Sequence, residues 1–280
     1  MVCGCGIIRV RSNPFEFMTL LDTMFGRRCR LCGVRRVAPI GPVAPTHPGN
    51  FQTKNFTLQH CRNCDVVYLD PLPQPADLKL LYEDSVQFVS ANYTASDRVA
   101  QMMRYYSNAI RSFDLLPKAA PILEIGAGLA WVARACKAMD PHITTIAQDV
   151  SAECVRACPW VDRYFVGTLD DLPERGPFGL VSLTHVIEHV MDPAEMLRTM
   201  SMVVAPRGKV FITAPFRPSS WSNNRHIDAW RDYSYLHVPA HISYLSRRWF
   251  EMHARPKFEI AHWDASHENG QVFELVLQRI

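Results

Sequence analysis

The sequence predicts an α/β chain, in which a mainly parallel sheet flanked by helices carries a C-terminal antiparallel hairpin and follows a small cysteine-rich module. Three observations carry this. From residue 120 onward, apolar runs alternate with helical segments, the pattern of βα units in a parallel sheet. The last two apolar runs, "FEIAHWDAS" and "QVFELVLQRI", are separated by the short loop "HENG" and read as a hairpin. Far upstream, cysteines stand as two CxxC pairs, Cys29/Cys32 and Cys61/Cys64.

The elements follow in order. Residues 37–50, "VAPIGPVAPTHPGN", are proline-rich and read as an excursion between the two cysteine pairs. "FTLQHC" and "DVVYLD" flank the second pair with β-branched and aromatic residues, as hairpin strands would. "ADLKLLYED" has helical spacing, and a longer helix is expected over about 95–114. "PILEIGAG" is a strand ending in glycines, followed by a helix in "LAWVARACKAM" and a strand in "ITTIAQDV". "SAECVRAC" reads as a helix opened by Ser151. "FGLVSLTHVI" is a fourth strand region, "DPAEMLRTMSMVVA" a helix with Pro193 in its first turn, and "GKVFITAPF" a strand. The chain divides into an N-terminal extension at 1–26, the cysteine module at 27–94 and the larger α/β domain at 95–280.

Composition excludes several classes. With 280 residues the chain can bury a full core, and 48% hydrophobic with 20% charged residues is ordinary for a globular protein. A net charge of +3 is too small to argue for nucleic acid by itself. No apolar run approaches the roughly 20 residues needed to cross a bilayer. The N-terminus lacks a secretory h-region, and a cytoplasmic location is expected; poor in acids and carrying Arg9 and Arg11, it also fits a short organellar leader.

Nine cysteines is an odd count, which argues against a complete disulfide framework. A thioredoxin-type redox motif uses one CxxC after a strand of a βαβ unit, not two in a loop region. Two pairs, each bringing two thiolates to one side of a tight turn, supply four soft ligands in a tetrahedron. Cys29, Cys32, Cys61 and Cys64 are therefore expected to hold a structural Zn2+, a zinc ribbon. Cys154 and Cys158 are expected to be small core residues.

Gly126 and Gly128 fall between a strand and a helix, where absent side chains let a ligand reach backbone N–H groups. A dinucleotide fingerprint wants a third glycine at position 131, which here is Trp131. Glu124 stands in a buried strand, badly placed beside a pyrophosphate and well placed to support a cationic ligand such as S-adenosylmethionine. Asp149 ends the next strand, where an acceptor for two ribose hydroxyls belongs, and it also fits a helix N-terminal acid.

"ILEIGAGLAW", "AQDVS", "GTLDDLP" and "LVSLTHVIEHVMDP" resemble successive motifs of the class I S-adenosylmethionine-dependent methyltransferases. "CRLCG…LQHCRNCDVVYLDPLPQPADLKLLYE" resembles the zinc-ribbon lead-in of the branch that includes sugar-nucleotide C-methyltransferases. The resemblance covers roughly 27–280 and implies a Rossmann-like sheet. It implies cofactor contacts at Glu124, Gly126, Gly128 and Asp149, an adenine-edge contact at Thr168, and Thr184, His185 and Ile187 near the methyl donor. It also implies a substrate-covering insertion at about 216–246. There "LHVPAHISYLS" resembles a family segment ending in a Glu-His pair; His241 keeps the histidine and Ala240 replaces the glutamate.

Methyl transfer is a displacement at the sulfonium methyl, so the protein must chiefly align a nucleophile and exclude water. A nearby base helps where the nucleophile carries a proton. His241 is the preferred base, because an imidazole titrates near neutral pH, against a loop histidine that only holds the cover. Tyr93, His185 and His189 are further candidates, each with a packing alternative. Trp221 and Trp230, with Arg225 and Arg231, either wall a substrate pocket or anchor the insertion. Arg27, Arg28, Arg30, Arg35 and Arg36 either face a phosphate-bearing substrate or form a solvated surface. Two readings stand: a methyltransferase acting on a small molecule such as a sugar nucleotide or natural-product intermediate, and a zinc-ribbon RNA-binding protein that modifies RNA or only binds it.

Overall fold

The structure is a computed structural model and describes residues 27–46, 55–74, 77, 95–221 and 227–280. The N-terminal extension 1–26, most of the helix expected in "ADLKLLYED", Tyr93 and Arg225 lie outside the described residues.

The cysteine module contributes three strands, β1 (Val37–Val43), β2 (Phe56–Cys61) and β3 (Val66–Asp70). The larger domain opens with α1 (Ser96–Ser112), then β4 (Ile122–Ile125), α2 (Trp131–Met139), β5 (Thr145–Asp149), β6 (Arg163–Val166) and β7 (Phe178–Thr184). There follow α3 (Pro193–Val203), β8 (Val204–Pro215), the short α4 (Asp228–Arg231), β9 (Ser243–Tyr244), α5 (Arg247–His253), β10 (Phe258–Ser266), a helical turn α6 (His267–Gly270) and β11 (Val272–Arg279).

Seven strands form one sheet in the order β10-β11-β8-β7-β4-β5-β6. The five from β8 to β6 are parallel, and β11 and β10 close one side antiparallel. This is the mainly parallel α/β sheet with a C-terminal hairpin that the alternation predicts. Every residue of β4 is buried, as expected where helices cover both faces. Alternate residues serve two cores. Leu123, Ile125, Val181 and Leu183 face the side of α3 and α5, while Ile122, Leu180 and Phe211 face α1 and α2.

The chain leaves β4 toward β5 and β6, then returns to the other flank of β4 as β7. The connections after β4 and β7 therefore part company, and a crevice opens at the carboxyl ends of these strands. That reversal positions the site.

The second sheet, β1-β2-β3-β9, is antiparallel throughout. β1 corrects the expectation of an irregular excursion over 37–50: Pro39 and Pro42 sit in a strand, opposite Gln59 and Thr57. Proline is tolerated because β1 is an edge strand, with a register shift between Pro39 and Gly41. The fourth strand, β9, comes from the expected insertion and pairs Tyr244 with Val67 and Ser243 with Tyr68. Trp221, Trp230, Tyr233 and Tyr244 pack beneath this sheet against Phe56, Leu58 and Leu69. Trp230 is fully buried, so the tryptophans anchor the insertion to the ribbon.

Three further departures have local causes. The helix expected over 151–158 shrinks to a single tight turn at Val155–Ala157. Asp149 takes the N–H of Ser151 and the Ser151 hydroxyl takes that of Glu153, bonds that compete with helical ones. β6 gives no apolar-run signal because its ends, Arg163 and Val166, are exposed and Tyr164 and Phe165 are only half-buried. α5 starts at Ser246, whose hydroxyl accepts from the N–H of Trp249 at 3.1 Å, a cap readable in "SRRWFEMH". Cys154 and Cys158 are buried core residues, as expected.

Trp249 joins the two sheets: fully buried, it donates its indole N–H to the carbonyl of Leu31, between two of the cysteines. Trp249→Ala is expected to cost about 3–5 kcal/mol in denaturant unfolding. Trp249→Phe, which keeps most of the packing, should cost clearly less.

Candidate functional site

The glycine turn is held from several sides. Gly126 and Gly128 have φ of +58° and +47°, a conformation glycine adopts without strain. The Gly126 N–H donates to Gln148 Oε1 at 3.4 Å, and the Gly128 N–H to Asp149 Oδ2 at 2.8 Å. The carbonyl of Gly128 accepts from the Tyr164 hydroxyl at 2.8 Å, and that of Ala130 from the Trp160 indole at 3.1 Å. The two glycines differ in what surrounds them. A Cβ on Gly126 would meet Val186 Cγ2 at 2.5 Å, whereas one on Gly128 would meet nothing within 4 Å. Gly126 thus lets the β4 and β7 connections touch, and Gly128 borders open space.

Glu124 is fully buried and turns toward the start of α2, accepting from the N–H groups of Val132 at 3.3 Å and Ala133 at 2.8 Å. Burial raises its carboxyl from 4.5 to about 7, against the lowering effect of those two bonds. The partner that the sequence required for a buried acid is a helix N-terminus. Asp149 accepts from Gly128 and, through Oδ1, from Ser151 at 2.9 Å. Its carboxylate therefore stands at the mouth of the crevice, at the end of β5. Thr168 is exposed and gives its hydroxyl to Asp171 at 2.6 Å.

The end of β7 carries the polar residues. Buried Tyr106 of α1 stands close to Thr184, whose hydroxyl partly offsets the rise that burial imposes on the phenol. His185 has a positive φ of 55°, unusual away from glycine and frequent at functional positions. Its side chain is 40% exposed, stands 3.5 Å from Glu188 Oε1, and stacks on Tyr235 with ring centroids 5.8 Å apart. A single helical turn, Ile187–His189, then carries Glu188 inward, where it is 1% exposed. Burial alone would raise the Glu188 carboxyl, yet the imidazoles of His185, His189 and His241 hold it down at about 2. Sequence reasoning missed Glu188; its signal was an acid directly following an apolar strand in "LVSLTHVIEHV".

His241 is close by and deeply placed. It is 7% exposed, its Nδ1 lies 2.7 Å from the carbonyl of Tyr235, and its ring centroid is 4.8 Å from that of His189. Burial and the neighbouring His189 push its pKa down to about 3, far from the neutral range that suggested a general base. His189 turns its Nδ1 to the carbonyl of Ala240 at 2.9 Å. The structure thus brings His185, His189 and His241 together around one carboxylate.

The four expected metal ligands also meet. Cys29 and Cys64 sulfurs are 3.8 Å apart and Cys32 and Cys61 sulfurs 3.6 Å. A tetrahedron with metal–sulfur bonds of about 2.3 Å has edges of about 3.8 Å, so the donor set fits Zn2+. Without a metal, Cys61 raises the Cys29 thiol, Cys64 lowers it and burial raises it again, to about 12. Two of the arginines around them are engaged within the chain. Arg27 pairs with Asp70, and Arg30 donates to the carbonyl of Ile242 while lying over the Tyr68 ring. No helix among the described residues is long and apolar enough to cross a membrane.

A mainly parallel sheet with a switch-point crevice, a glycine turn and an acid closing the next strand defines the class I S-adenosylmethionine-dependent methyltransferase fold. The chain belongs to the methyltransferase domain family, whose profile matches residues 59–253. Among solved structures, coclaurine N-methyltransferase bound to N-methylheliamine and S-adenosylhomocysteine is similar at a TM-score of 0.50, with 9% identity over 71% of this chain and 80% of that one. An S-adenosylmethionine-dependent methyltransferase from Mesorhizobium loti matches at 0.48 and 17% identity, over 61% and 96%. The plantazolicin methyltransferase BpumL matches at 0.48 and 12% identity, over 74% and 99%. No curated protein matches the chain.

Because folding raises the carboxyl of Glu124, its proton favours the folded state below pH 4.5, and that contribution is lost as pH rises through about 7. Measured as Tm against pH, the difference between wild type and Glu124→Gln should shift in favour of the variant across that window. A constant difference would show that the carboxyl titrates normally.

Proposed function

We propose that the chain moves the methyl group of S-adenosylmethionine to a small-molecule acceptor held between the end of β7 and the insertion, and that a Zn2+ on Cys29, Cys32, Cys61 and Cys64 keeps that insertion in place. The observation that carries the cofactor assignment is the open space at Gly128 beside Asp149. Asp149 would exchange its backbone bonds for ribose hydroxyls, and Glu124 would hold the helix start that faces the methionine end. Thr184, at the end of β7, and Thr168, just after β6, would contact the cofactor, and Gly126 lets Val186 approach at the base of the crevice.

The small-molecule reading is supported by the insertion. It is bound to the ribbon through β9 and a buried aromatic core, which favours a walled pocket over an open groove. Arg27 and Arg30 are engaged within the chain, which weakens the case for an RNA-binding stripe. His185, partly exposed beside Tyr235, is the residue we place against the acceptor. Buried His241 and half-buried His189 flank the same Glu188 carboxylate.

S-adenosylhomocysteine should raise Tm by mass action, and NAD should not. Asp149→Ala should weaken that shift and Gly128→Val abolish it, with far-UV circular dichroism unchanged. A shift with NAD alone would reverse the cofactor assignment. His185→Ala should lower kcat by about 10²-fold or more with S-adenosylhomocysteine affinity retained; a rate near wild type would remove it from the chemistry. Elemental analysis of Cys61→Ser should show one zinc per chain fewer than wild type. Tight binding of mixed RNA with a steep salt dependence would favour the RNA reading instead.

A further inference from the structure

We propose a second metal site, distinct from the four cysteines, in which Glu188, His189 and His241 hold one first-row divalent cation. The three residues come from two segments: the turn after β7 supplies Glu188 and His189, and the insertion supplies His241. One donor atom from each lies within 4.8 Å of the others. Ligands on a cation with bonds of about 2.1 Å stand roughly 3.4 Å apart in a tetrahedron, so small side-chain rotations close the set.

Glu188 supplies the independent observation. It is 1% exposed, and neither carboxylate oxygen makes a hydrogen bond among the described residues. The imidazole nitrogens His185 Nδ1 and His189 Nε2 stand 3.5 Å and 3.9 Å from Oε1. A buried carboxylate without a hydrogen bond is costly, and buried charges are ordinarily paired or on a metal.

The histidines are oriented as ligands are. His189 Nδ1 faces the carbonyl of Ala240 at 2.9 Å, and His241 Nδ1 faces that of Tyr235 at 2.7 Å. In the neutral rings each Nδ1–H donates to its carbonyl, and the Nε2 lone pair points elsewhere. Metal-bound histidines fix their tautomer in this way, with the outer nitrogen on a carbonyl. Backbone bonds lock the two segments together, since the Ile242 N–H donates to the carbonyl of Glu188 at 2.7 Å. Two imidazoles and one carboxylate suit zinc, iron(II), manganese(II) or cobalt(II) better than a hard all-oxygen ion. Three protein ligands leave a fourth position for water or a substrate oxygen, and His189 is the most exposed of the three.

The test is full-length protein produced with Co2+ as the only supplied transition metal, read by elemental analysis and absorption. Two equivalents per chain are expected. Glu188→Gln and His241→Ala should each remove one while the thiolate-to-cobalt charge-transfer band of the cysteine site persists. Cys61→Ser should remove that band and keep the weaker ligand-field absorption of the nitrogen and oxygen site. Because Glu188→Gln keeps the shape of the side chain and leaves the cysteines untouched, it reports even if Cys61→Ser fails to fold. Cobalt held in the wild type by the thiolates alone, or an unchanged cobalt content in Glu188→Gln, would overturn the proposal. Either outcome leaves the methyl-donor reading to its own binding test.

Discussion

The reversal of strand order at β4 is the constraint on which the rest of the molecule depends. Because β5 lies on one side of β4 and β7 on the other, the two connections leaving their carboxyl ends diverge and leave a crevice. The reversal works only if those connections still touch at their base, and Gly126 allows this, since Val186 occupies the place of its missing Cβ. The residues proposed to meet the methyl donor then hang from three strand ends: the glycine turn on β4, Asp149 on β5, Thr184 and His185 on β7.

The ribbon sheet acts on this crevice at second hand. Its strands hold the insertion, through the pairing of β9 with β3 and through Trp221, Trp230 and Tyr244. The insertion in turn supplies Tyr235 and His241 to the residues at the end of β7. Cysteine geometry, insertion packing and the polar cluster thus form one chain of dependence. Trp249 ties its first link to α5 through the carbonyl of Leu31.

What was legible in the sequence was what is local. The "EIGAG" turn, Asp149 after the next strand, both CxxC pairs and the alternation of strands and helices each lie within a few residues, and the fold follows from them. Features that depend on distant partners were not legible. Glu188 reads as an ordinary acid until His241 is brought against it from the insertion, and His241 reads as a neutral-range base until burial is seen to push it down. Pro39 and Pro42 read as loop residues because nothing nearby shows that their strand is an edge. Ser151 reads as a helix cap because the pattern does not reveal that Asp149 claims its N–H first.

The central claim is that the switch-point crevice, and not the ribbon, receives the methyl donor. Amide hydrogen exchange with and without S-adenosylhomocysteine tests it directly, because protection reports which backbone becomes covered. Slowed exchange is expected in residues 126–131, 149–153 and 184–189, with the amides of β1 and β2 little changed. Protection confined to the ribbon strands, or none at the glycine turn under saturating ligand, would contradict it.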